Sequence, residues 1–568
     1  MPDSASSLRD QVRLDPQDFI AWVMLADAEL DRGDVAAGHE AAERALLLRP
    51  GHPEAQARIG RALWMRRRYA EAAGFLRAAA AQLPRHPGIA LWLGHALEDA
   101  GEAEAAAEAY SNAYDLLPDH AAVAAHLLHW RRKLCDWRNV DMLSSQARRS
   151  VAAHEGIVEP FAFLSEPASA DEQLSCARAR ARQLIRQPMP AAGNPGAAEN
   201  VLRLGFLSNG FGAHPTGTLI VAFIESLAAM PGVELHLFAT SRDDGSTVRQ
   251  RLARAAAVHE VAGHAHERVA AVIRQNGINV LYDLRGWGGG GTPEVLALRP
   301  APVQVNWLAY PGTSGAPWID YVLADRFVLP PALSKSFSEK VAWLPRCFQP
   351  SDVQRVLQPA LAREQYGLPA TGVVVACFNN SYKINPESFG RAIQVLAAAP
   401  HSVLWLLSGP GRSDQRLCEA AGALGVDPQR LVFTRKLPHD QYLSLYQHVA
   451  LFLDTNPYNA HTTASDALWA GCPVLSRPGT TFASRVAGSL NHHLGLAEMN
   501  VESDDAFVRK AVSLVTDPME LARVRAMLAG ARGREGLFDM NGFAGDFLET
   551  ARMLHAQSPH GPSPRPMA

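Results

Sequence analysis

Four prolines impose the first constraint on this chain. Pro16, Pro50, Pro84 and Pro118 stand 34 residues apart. The same step relates Ala45, Ala79 and Ala113, and again Leu25, Ile59 and Leu93. It also relates Ala26, Gly60 and Gly94, and then Ala28, Ala62 and Ala96. A proline lacks the N–H that would continue a helix, and small residues at fixed intervals let two helices approach closely. A period of this length predicts stacked helical hairpins, each burying its apolar face only against its neighbours.

This is the tetratricopeptide pattern, with three clear units and a degenerate fourth over residues 1–150, where Leu127 and Leu128 keep the register. Such an array offers a concave groove to a peptide or protein, or else serves as a platform for the next domain. Residues 151–200 are expected to be a helical connector ending in the proline- and glycine-rich linker Arg186–Gly196.

Beyond the linker the periodicity changes. Strand-like runs at Leu202–Ser208, Leu235–Thr240, Ile278–Leu284, Val303–Ala309 and Tyr321–Ala324 alternate with helical stretches over 201–355. A second series, 356–555, has strands at Val373–Phe378, Ser402–Leu407, Leu431–Phe433, Leu451–Asp454 and Val474–Leu475. Alternation of this kind implies parallel sheets with ligands at the strand C-termini. Two such lobes suggest a cleft enzyme, and residues 556–568 read as a disordered tail. The composition fits: 48% hydrophobic residues give an ample core, and a net charge of -3 shows no excess of positive charge to suggest a nucleic-acid partner. No signal peptide or membrane span is apparent, and the six scattered cysteines read as free thiols, so a cytoplasmic protein is expected.

The stretch Phe452–Pro473 carries the chemistry. Asn459 and Thr462 are residues of the N-cap type, and Gly471-Cys472-Pro473 stops a helix. His461, Thr462 and Thr463 then lie at a helix N-terminus, where unpaired N–H groups and the dipole attract an anion. Asp466, one turn in, is placed to take neutral hydroxyls such as a ribose diol. Lys383 opens the second lobe in Asn379-Asn380-Ser381-Tyr382-Lys383 and could neutralise a diphosphate without a metal. His214, in the first βα loop, could take a proton or donate a hydrogen bond. His259 is read as the end of a helix before a strand. The glycine run Gly286–Gly291 fits GxGxxG but lacks the acidic residue a dinucleotide site needs, so a tight turn lining the cleft is expected. No cluster has metal-ligand spacing.

Several of these segments together resemble the O-linked N-acetylglucosaminyltransferases. They are Ala297–Gln304, Trp307–Gly315, Ser338–Lys340, Gln365–Pro369, Ser402–Leu407, His461–Thr463 and Leu468–Gly471, with Cys135-Asp136-Trp137 at the junction. The resemblance implies a tetratricopeptide solenoid followed by an α/β GT-B-type glycosyltransferase of two Rossmann-like lobes. It implies inverting transfer of GlcNAc from UDP-GlcNAc to Ser/Thr hydroxyls of a protein acceptor, along the repeat groove, without metal or other cofactor. By the same resemblance Lys383 and Asn380 would stabilise the leaving UDP, His461, Thr462 and Thr463 would hold its diphosphate, and Asp466 its ribose. Leu437, Pro438 and His439, with Tyr442 to Leu445, match the uridine-binding stretch. Tyr442 stands where the family stacks a histidine on uracil, and Leu445 where it has an arginine. His214 matches the histidine proposed as base, and His259 one near the sugar. Leu308, Ala309 and Pro311 fall in the sugar-pocket loop. Met24, Arg58 and Trp92 occupy the position of the family's asparagine ladder. The alternatives are transfer of fucose from GDP-fucose and a scaffold with inactive lobes.

Overall fold

The computed structural model describes residues 4–184, 201–531 and 536–557. Most of the expected linker and of the expected tail lies outside the described residues. The chain divides into two compact units: residues 1–147 with 409–413, and the remainder.

In the first unit the 34-residue period is a run of helical hairpins. Phe19–Asp31 pairs with Val35–Leu48, Pro53–Met65 with Tyr69–Gln82, and Pro87–Asp99 with Ala103–Leu116. The period sets the caps as well: Asp18, His52, His86 and His120 are the N-caps of successive first helices, each accepting a backbone N–H. The small-residue column has a steric cause. A Cβ on Gly60 would stand 2.6 Å from Leu76 Cγ, and one on Gly94 2.6 Å from the Tyr110 ring. Ala45, Ala79 and Ala113 are wholly buried between paired helices.

The second unit holds two parallel sheets. The first has strands β1 (Leu202–Ser208), β2 (Val233–Ala239), β3 (Ala257–Glu260), β4 (Val280–Asp283), β5 (Val303–Asn306), β6 (Tyr321–Asp325) and β7 (Lys340–Leu344), in the order β3-β2-β1-β4-β5-β6-β7. The second has β8 (Val373–Cys377), β9 (Ser402–Leu407), β10 (Leu431–Thr434), β11 (Leu451–Leu453) and β12 (Val474–Leu475), in the order β10-β9-β8-β11-β12. Each order reverses beside the lobe's first strand, and such a switch point opens a crevice at the strand C-termini. The loops after β1 and β4 therefore face one another in the first lobe, and those after β8 and β11 in the second.

The last helix, Met540–Ala556, returns to the first lobe although it follows the second in sequence. Phe547 is fully buried there, with ring centroids 4.7 Å from both Phe223 and Tyr282. Arg346 adds an ion pair to Asp539 (3.0 Å) and another to Asp546.

Candidate active site

The loops flanking the second sheet's switch point bring Lys383 and His461 together. Lys383 ends a short 3-10 turn after β8, and its side chain is buried. Its Nζ donates to the Asn459 carbonyl (2.6 Å) and lies 3.8 Å from the centroid of the Tyr458 ring. Burial lowers the ammonium to about 7, and the Asp454 charge opposes that shift. Burial likewise lifts Asp454 to about 6, against hydrogen bonds from Ala460 N–H, Ser476 Oγ and Thr455 N–H. Burial thus weakens the hold of this ammonium on its proton.

The helix Thr462–Trp469 begins at the same place. His461 occupies its N-cap with no side-chain hydrogen bond to the first turn. The expected caps are corrected here: Asn459 is wholly buried and donates to the Thr455 carbonyl (2.9 Å), and Thr462 is already helical. The His461 side chain therefore leaves the first-turn amides of Thr462 and Thr463 without a side-chain cap. His461 Nε2 donates to the Ala483 carbonyl (3.2 Å), and its burial and the Lys383 charge hold the imidazole neutral. Gly471 ends the segment at φ +84°, a conformation open to glycine.

Asp466 sits one turn in, 2% exposed, ion-paired with Arg355 and accepting from His439 Nε2 at 3.2 Å. Arg355, at the end of the first series, also donates to Ser351 Oγ. Nothing in the local pattern announces Arg355, because its partner lies 111 residues away. His439, on the helix His439–Leu445, stays 38% exposed and stacks on the Tyr442 ring. Tyr442 is tied by its hydroxyl to Tyr446, which donates to the Thr463 carbonyl. Leu437 is half-buried and Pro438 exposed at this helix's start, and Asn380 is exposed ahead of Lys383. Leu445 is 0% exposed, so it packs inside the lobe and offers a nucleoside no surface; the uridine-side expectation for it is corrected.

In the first lobe His214 N-caps the helix Pro215–Ala228: Thr216 N–H donates to its Nδ1 at 3.1 Å. The neutral ring then carries its proton on Nε2. Burial, with the charges of Arg285 and Lys436, depresses this histidine to about 4. Gly210 is required beside it, since a Cβ there would stand 2.6 Å from His214 Nδ1. The glycine run after β4 is a tight turn: Gly286 (φ +50°) would bring a Cβ within 2.6 Å of Tyr310. Leu308 is buried at φ +83°, a strained conformation for a branched side chain, while Ala309 is half-buried and Pro311 buried. His259 does not end a helix; it lies in β3, with Nε2 3.0 Å from His236 Nδ1 and its ring on Phe238.

The two lobes meet over one apolar cluster, Leu164, Tyr310, Tyr458 and Ala483, with Phe161, Trp287 and Tyr382 packed against it. Tyr458 thus carries the Lys383 cation on its face and closes against the first lobe. A buried cation and an uncapped helix N-terminus suit an anion such as a diphosphate.

Helical repeats ahead of two facing Rossmann-like lobes define a tetratricopeptide protein of the GT-B fold class. Residues 139–360 and 358–547 match Glycosyl transferase family 41, and the chain belongs to that family. It is 35% identical over 347 residues to an Arabidopsis thaliana protein named "Probable UDP-N-acetylglucosamine--peptide N-acetylglucosaminyltransferase SEC", covering 60% of this chain and 35% of that one. It is 26% identical over 547 residues to the UDP-N-acetylglucosamine--peptide N-acetylglucosaminyltransferase of Caenorhabditis elegans, covering 73% and 47%. The chain thus spans about a third to a half of these relatives. A solved structure, a lysine-to-methionine mutant of the Thermobaculum terrenum O-GlcNAc transferase, matches over 95% of this chain and 98% of its own, with TM-score 0.68 and 25% identity.

Proposed function

We propose that the chain is an inverting, metal-independent glycosyltransferase that moves GlcNAc from UDP-GlcNAc to Ser/Thr hydroxyls of proteins. The observation that carries this is the convergence of Lys383 with the uncapped N-terminus of Thr462–Trp469 at one switch point. In the reaction the acceptor oxygen bonds to the sugar C1 from the face opposite the phosphate. The C1–O bond breaks and its electron pair goes to UDP. Lys383 and the helix amides are aimed at that growing charge, where preorganised donors lower the barrier most. The acceptor proton passes to a diphosphate oxygen or to water. His214, with Nδ1 occupied and Nε2 protonated, donates a hydrogen bond toward the reacting centre rather than removing the proton. Asp466 is too deeply set to meet a ribose alone, and acts by holding His439, which is exposed enough to do so. The names of the relatives support the donor and acceptor.

The test is incubation of the full chain with UDP-GlcNAc, EDTA and a Ser/Thr peptide library, followed by mass spectrometry for added N-acetylhexosamine and NMR of the product anomer. Release of UDP and a β-linked product from the α-linked donor are expected. A retained anomer, or activity that returns only with a metal ion, contradicts the mechanism. Transfer from GDP-fucose instead moves the protein to the alternative donor.

A further inference from the structure

The repeat period that spaces the small residues also carries two columns along the first helices. Met24, Arg58, Trp92 and His126 form one; Asp27, Arg61, His95 and His129 form the other. In the first units these columns make ion pairs, such as Arg58 with Asp27 at 2.8 Å. In the last units the charges give way to imidazoles. His95 and Glu98 lie one turn apart on Pro87–Asp99, and His126 comes from Ala121–Lys133. One ligand atom from each of His95, Glu98 and His126 falls within 4.8 Å of the other two.

The surroundings order these groups. Tyr110 donates its hydroxyl proton to Glu98 (2.7 Å) and lies 2.8 Å from His95 Nδ1. A hydroxyl with its single proton committed accepts from that Nδ1, which leaves a lone pair on the second nitrogen of His95. The Tyr110 ring stacks on His126 (5.1 Å, 10°), and Trp64 stacks on His95 (5.4 Å, 18°). Both histidines are held neutral by burial, the form that ligates a metal. Glu98 supplies the negative charge. The opposing charge is Lys133, whose ammonium lies 4.4 Å from the centroid of the Trp130 ring.

We infer that His95, Glu98 and His126 form a binding site for one divalent transition-metal ion of the zinc type, separate from the proposed transfer site. Two imidazoles and a carboxylate are a zinc donor set, with bonds of about 2.0–2.2 Å. The ion ties Pro87–Asp99 to Ala121–Lys133 and stiffens the end of the array. Tyr110 is a positioning residue, since it orients His95 and Glu98.

The test is titration of the tag-free full chain with Co2+ followed by its visible absorption, then displacement by Zn2+. One equivalent with tetrahedral ligand-field bands is expected, and at least a tenfold weaker affinity in Glu98→Gln and His126→Gln whose circular dichroism matches the parent. Binding that these changes leave unaltered, or no saturable binding, overturns the site. A second measurement needs no variant. X-ray absorption of the Zn2+-loaded parent should show two imidazoles and no sulfur, and a shell with sulfur or with one imidazole would equally reject it.

Discussion

Asp466 shows how a residue's role depends on a partner that its own neighbourhood does not reveal. The sequence places its carboxylate one turn into a helix; the fold adds Arg355 against it. Asp466→Ala removes the ion-pair partner of that buried guanidinium, and a loss of about 3–5 kcal/mol is expected in denaturant unfolding. Asp466→Asn also removes the charge but keeps a hydrogen-bond acceptor, so a similar loss in both variants is expected if the charge pairing dominates, and a near-parental Asp466→Asn would show that it does not. Lys383 carries a second prediction. Its ammonium stands at about 7 in the free protein, and a bound diphosphate raises it. Above pH 7 binding therefore takes up a proton, and affinity for UDP-GlcNAc falls by up to about tenfold per pH unit. Calorimetry in buffers of different ionisation enthalpy measures this directly; Lys383→Met should bind with no proton uptake. For His214 the geometry favours a donor over a base. His214→Asn, which can still accept from Thr216 and donate outward, should keep far more transfer activity than His214→Ala. A general base would cost both variants about 10²–10⁴-fold.

Among the elements, the repeat was the most legible, because proline and small-residue columns act locally and each Gly answers to one neighbour. Gly94→Ala pushes a methyl onto the Tyr110 ring, a rigid obstacle, and should destabilise the repeat unit by about 1–3 kcal/mol. Both sheets were also legible from alternation, apart from β7 (Lys340–Leu344) and the exact place of His259, which a short edge strand claimed. The destination of Met540–Ala556 was hidden, since an amphipathic helix does not say which lobe its apolar face will cover. Phe547→Ala, which empties a site ringed by Phe206, Phe223, Tyr282 and Trp307, should cost about 3–5 kcal/mol. Protection from hydrogen exchange should fall in β1 and β4 before β8 and β11; the reverse order would mean the helix serves the second lobe. The two parts of the proposed anion site, a helix N-terminus and a loop lysine, were legible as local features. Tyr458, Asp454 and Arg285 were not, because only the folded crevice joins them to it.

For the molecule as a whole, the second sheet's switch point brings a buried cation to a helix N-terminus, one apolar cluster closes the first lobe against it, and catalysis is proposed to follow from where that charge is aimed. Chelation should leave this chemistry unchanged, since lysine and backbone amides supply the positive end. The most direct measurement is calorimetric titration of the purified full chain, in EDTA, with UDP, UDP-GlcNAc and GDP-fucose, repeated on Lys383→Met. Saturable binding of UDP and UDP-GlcNAc, weak binding of GDP-fucose, and a marked loss of UDP affinity in the variant are the predicted results. A parent that binds none of the three, or a variant that binds UDP as tightly as the parent, would contradict the diphosphate site.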